Sequence, residues 1–177
     1  EGTNEINRML VFGMILKKAM AGALPLMAVG EKLPEEVMGV MVTEPEDGLD
    51  RLKHYLDNSK KATILASGAA WRKFGPKLPD HQIVVMALAD CMINIYVMES
   101  ALAALDKNRN EHDENLVRLL FDEKVFETEN LVRRLVAMCS EGDTQRTLNS
   151  MMKRLLKFTP VNTEELTEKI VENLVGA

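Results

Sequence analysis

One stretch limits the fold more than any other. From Ile83 to Leu102 the chain is apolar on nearly every side: Ile83, Val84, Val85, Met86, Leu88, Ala89, Met92, Ile93, Ile95, Val97, Met98 and Leu102. A helix that is apolar all round must be surrounded, either by other helices or by lipid. Asp90, Asn94 and Glu99 interrupt the run, and no segment reaches the roughly 18 consecutive apolar residues of a membrane span. The stretch therefore predicts the central helix of a helical bundle. It starts near Leu78-Pro79-Asp80, with Pro79 in the first turn, and runs to about Asp106.

The neighbouring segments supply the surrounding helices. Leu49, Leu52, Leu56, Ala62, Ile64, Leu65, Ala69 and Ala70 mark the buried side of a helix over 47–73, ended by Gly75-Pro76. Its run Ala66-Ser67-Gly68-Ala69-Ala70 permits close helix approach. After a polar turn over 108–113, a fourth helix covers 114–141 and ends at Gly142. A fifth covers 144–158, and a sixth starts with Thr163 as N-cap and ends at Gly176. Before the bundle, residues 4–21 form one helix, and Gly22 and Pro25 stop it. Residues 22–48 hold three of the six prolines and read as an apolar linker with one short helix near 33–41. No strand, hairpin or Gly-rich phosphate loop is visible. The fold class is all-α: an antiparallel bundle of four to five helices, preceded by one helix and a linker. The Met-rich, aromatic-poor composition (12 Met, 5% aromatic) suits helix packing.

A net charge of −5 gives no reason to expect nucleic acid as a partner. Cys91 and Cys139 sit among apolar neighbours and read as reduced core thiols of a cytosolic protein. No Cys-x-x-Cys pair and no His-x-x-x-His pair exists, so no metal site is expected, and His54, His81 and His112 read as exposed or helix-end residues. Asp90 and Asn94 need partners on another helix, for which Arg118, Arg133 and Arg134 are available. Arg146, Lys153, Arg154 and Lys157 flank Leu148, Met151, Met152, Leu155, Leu156 and Phe158. This basic amphipathic helix packs on the bundle or, in a sharper reading, touches a membrane surface or an acidic partner.

The chemistry enters at the start. Glu1-Gly2-Thr3-Asn4-Glu5-Ile6-Asn7-Arg8 resembles the Glu-Gly-Thr-Asn/Ser-x-Ile-x-Arg base segment of acyl-CoA dehydrogenases. Leu88-Ala89-Asp90 through Tyr96-Val97-Met98 looks like a helix of the larger members, of which the very-long-chain enzymes are the best-known type. The resemblance implies the C-terminal part of an FAD-dependent enzyme of fatty-acid β-oxidation. Residues 1–21 would end the catalytic domain, 22–45 would link, and 46–177 would form an extra helical domain. It implies Glu1 as the catalytic base, Gly2 against the acyl thioester, and Thr3, Asn4 and Glu5 in contact with FAD. It also implies acyl-CoA as substrate, an electron-transfer partner, a homodimer and a cytoplasmic location. The chain alone is expected to bind no flavin and to be inactive. The linker that the very-long-chain relatives use at membranes is shorter here and poor in basic residues, which weakens any expectation of membrane contact. Without the resemblance, Glu1–Glu5 reads as a helix start capped by Thr3 or Asn4, and the chain as a helical interaction module without catalysis.

Overall fold

The computed structural model describes residues 2–39, 43–46 and 48–175. Among them are seven α-helices and no strand. They are α1 (Asn4–Met20), α2 (Leu26–Gly39), α3 (Gly48–Phe74), α4 (Gln82–Lys107), α5 (Glu111–Cys139), α6 (Gly142–Leu155) and α7 (Thr163–Val175). The all-α expectation holds. Glu1, the apolar residues Val40, Met41 and Val42, and the expected stop at Gly176 lie outside the described residues.

The three long helices α3, α4 and α5 pack on one another and run antiparallel. Leu52 and Leu56 from the start of α3 share a cluster with Met98, Leu102 and Leu105 from the end of α4 and with Val117, Phe121 and Val125 from the start of α5. A second cluster joins the other ends: Ala62–Ala70 of α3, Val84–Cys91 of α4 and Val132–Cys139 of α5. The small residues of α3 act as expected, since Ala62, Ala66 and Ala70 have no exposed surface. Polar side chains lie between the clusters. Ser59, Thr63, Asn94 and Thr128 are buried, and Asn94 Nδ2 donates to Thr128 Oγ1 at 3.4 Å.

α4 is central, with α1, α3 and α5 around it. By length and hydropathy it is long and apolar enough to cross a membrane, and its helical neighbours account for that apolarity. It is not covered everywhere, because Ile83 and Tyr96 remain exposed.

The helix boundaries depart from the sequence reading in ways that have local causes. The segment 22–45, expected as a linker with a short helix near 33–41, holds a helix of 14 residues. Pro34 lies inside it and removes one backbone donor. Burial of Leu33 and Val37 against α3 and α6 outweighs that loss. Arg154 Nη1 of α6 donates to the carbonyls of Val37 and Met38 at 3.2 and 3.0 Å, satisfying the C-terminal end of α2. Pro79 does not start α4. Gly75, at φ 53°, turns the chain out of α3 into a 3₁₀ segment, Gly75–Asp80. Leu78 is buried there and the His81 ring stacks on Phe74 at 3.8 Å, so α4 starts only at Gln82.

α5 begins earlier than the polar turn suggested. Asn110 Oδ1 accepts from the Asp113 amide at 2.9 Å, and that cap starts the helix at Glu111. Gly142 does not end α5. Extended Ser140 does, and Gly142, at φ 57°, starts α6. α6 stops at Leu155, short of Phe158, because Phe158 packs edge-on between Tyr55 and Phe126 at 5.8 and 4.5 Å. The Tyr55 hydroxyl, bonded to Glu44, accepts from the Thr159 amide at 3.1 Å and fixes the turn after α6. Thr163 is the first residue of α7, not its cap, since Asn162 Oδ1 accepts from the Glu165 amide at 3.3 Å.

Both thiols are core groups. Burial pushes the Cys91 thiol up to about 12, with the Thr63 hydroxyl opposing, and burial also raises Cys139. In the native chain at pH 8, a thiol-disulfide dye should label neither cysteine within minutes, while denaturant should expose both. Rapid native labelling of Cys91 would contradict this packing.

Candidate active-site segment

The segment singled out by its resemblance leads directly into α1. Gly2, Thr3, Asn4 and Glu5 are all exposed. Thr3 has extended backbone, and its Oγ1 accepts from the Ile6 amide at 3.4 Å, so it caps α1. The cap and the functional reading use the same residue. Asn7 adds a second tie: its Nδ2 donates to the Gly2 carbonyl at 3.4 Å, and its backbone amide to the Thr3 carbonyl at 3.0 Å. A Cβ on Gly2 would stand 2.8 Å from Asn7 Oδ1, so the glycine lets the backbone lie against that side chain. The Glu5 carboxyl is held below its usual range by its own backbone amide, then by the Thr3 hydroxyl. It is an anion at neutral pH, placed at the positive end of α1.

α1 is fastened to the bundle by Phe12, which is buried, and by partly buried Met9 and Leu16. Nearer the base segment stands Arg8, whose Nε lies 2.6 Å from Asp90 Oδ1 of α4. The sequence reading missed this pair. It sought partners for Asp90 and Asn94 among Arg118, Arg133 and Arg134. The structure pairs Asp90 with Arg8 and Asn94 with Thr128, while Arg133 bonds Glu129 of its own helix at 2.6 Å. The signal was present all the same: Arg8 closes one quoted motif and Asp90 opens the core of the other.

The remaining candidates fall to structural roles. α6 buries Leu148, Met151, Met152 and Leu155 in the core, so its apolar side is occupied. Among the described residues no group of three metal-ligating side chains converges. Two open surface clefts, one on α7 and one between Pro34, Arg72, Cys139 and Met151, are not lined by Gly2–Glu5.

Residues 58–154 match the family described as acyl-CoA dehydrogenase, C-terminal domain, which is more than half of the chain. The chain belongs to that family. A probable acyl-CoA dehydrogenase of Bacillus subtilis (strain 168) is 34% identical over 170 residues, covering 92% of this chain and 29% of the relative. The crystal structure of an acyl-CoA dehydrogenase complexed with FAD from Bacillus anthracis superposes with a TM-score of 0.90 at 31% identity, over 99% of this chain and 31% of that one. The chain thus spans less than a third of the length of these acyl-CoA dehydrogenases. The family match leaves out α1, whereas the structural likeness extends over nearly all the chain.

Proposed function

We propose that this chain is the C-terminal helical part of an FAD-dependent acyl-CoA dehydrogenase that makes the α,β-double bond of an acyl-CoA thioester in cytoplasmic fatty-acid β-oxidation. The observation that carries this reading is the likeness, over 99% of the chain, to an acyl-CoA dehydrogenase complexed with FAD. Bound FAD supplies the acceptor for the β-hydride. Glu1 takes the α-proton, and the electron pair left behind becomes the new double bond. A carboxylate shut in an apolar pocket is a stronger base than one in water. Gly2 admits the thioester where a side chain would obstruct it.

Thr3, Asn4 and Glu5 fit the polar edge of a flavin. The three are exposed and carry a hydroxyl, an amide and an anionic carboxylate. That carboxylate suits hydroxyl or N–H donors of the cofactor rather than its phosphates, which it would repel. The parent is a homodimer that passes its electrons to a separate carrier protein. Ile6, Leu10 and Met14 form an exposed stripe on α1, each at least half exposed; the rest of the parent covers it. The bundle is a structural support for the catalytic part, and a membrane role is not favoured, because α6 buries its apolar side.

The full-length protein should purify yellow, with about one FAD per subunit, and convert acyl-CoA to enoyl-CoA with an artificial acceptor. The 177-residue chain alone should be colourless and inactive. A colourless parent that stays inactive after incubation with FAD would refute the reading.

A further inference from the structure

The start of α1 is poorly held by packing. Ile6, Asn7 and Leu10 are exposed, and the first fully buried side chain is Phe12, eleven positions after Glu1. The ion pair at Arg8 comes before it. Its other end is fixed: Asp90 sits between Ala89 and Cys91, neither of which has any exposed surface, on the central helix of the bundle. From Asp90 the contacts continue without a gap. Arg8 meets the carboxylate, Asn7 beside it holds the Gly2 carbonyl, and Thr3 caps the same turn. Each link spans at most five residues, so a shift at Arg8 carries through to residue 2.

We propose that Asp90 is a positioning residue: through Arg8 it fixes the first turn of α1, and so the place from which Glu1 meets the substrate's α-carbon. This rests on Glu1 being the base. Proton abstraction is steep in geometry, and a misplacement of about 1 Å can lower a rate about 100-fold. A partly exposed ion pair, by contrast, adds little to global stability. Arg8 and Asp90 are 35% and 29% exposed at their side chains. The pair should therefore matter to turnover out of proportion to its effect on folding.

The test uses the full-length holoenzyme with Asp90→Asn, Asp90→Glu and Glu1→Gln. Asp90→Asn should lower kcat about 10- to 100-fold, with KM for acyl-CoA within about threefold, FAD content unchanged and Tm nearly so. Asp90→Glu should recover most of the loss. In the 177-residue chain, Asp90→Asn should speed amide exchange at Ile6–Leu10 about tenfold and leave α3–α5 alone. Glu1→Gln inactive with Asp90→Asn at wild-type kcat overturns the proposal alone. So does an Asp90→Asn enzyme that loses Tm, flavin and kcat together with no recovery in Asp90→Glu. A fully active Glu1→Gln enzyme overturns the reading of the base, and the proposal with it.

Discussion

In the full-length enzyme, Glu1→Gln is expected to lower turnover by about 10²–10⁴-fold, the usual contribution of a positioned general base. Glutamine keeps the size and hydrogen-bonding shape of the side chain but cannot accept the α-proton as a carboxylate does. With Glu1 as the proposed base, the α-proton then has no acceptor, and the β-hydride cannot leave without its loss. α1 is capped by Thr3 and anchored by Arg8 and Phe12. The variant should therefore fold, bind FAD and bind acyl-CoA, with the loss appearing in kcat. Anaerobic mixing with substrate should leave the flavin oxidised over the time in which the wild-type flavin is bleached. A variant that bleaches at the wild-type rate would place the base elsewhere.

The second large effect falls at the far end of the bundle. Phe121→Ala should destabilise the chain by about 3–5 kcal/mol, the range for removing a buried aromatic. For a chain of this size that corresponds to a Tm lower by roughly 6–20 °C. Phe121 is 1% exposed, in the cluster shared by α3, α4 and α5. Its ring is surrounded by residues on three separate helices, so a cavity there cannot close by moving one side chain. Phe126, one turn along α5, is the control. It is 42% exposed and touches Phe158, and Phe126→Ala should cost less, about 1.5–3 kcal/mol. Urea or thermal unfolding followed by circular dichroism separates the two. Equal losses would mean that the three-helix core is not where the structure places it.

How far each feature could be read from the chain follows from the range of the forces behind it. Periodicity is local, so the long helices α1, α3, α4 and α5 were all legible, with α4 recognisable as central from its apolar faces. The start of α5 could also have been read, since Asn110 followed by acidic residues is a cap signal. The full length of α2 could not. Pro34 argues locally against a helix, and only the burial of Leu33 and Val37, with Arg154 closing the last carbonyls, decides for one. The end of α6 likewise depends on Tyr55, 103 positions before Phe158 in the chain.

The base segment divides in the same way. Its residue types, and the helix start that Thr3 caps, are properties of the sequence by itself, because a capping bond spans three residues. What only the tertiary structure decided is where that helix is fastened. Arg8 and Asp90 are 82 positions apart, and no periodicity selects one arginine over another for a carboxylate on a different helix. Packing of α1 on α4 brings the guanidinium to 2.6 Å from the carboxylate, and with it ties the start of α1 to the central helix of the bundle.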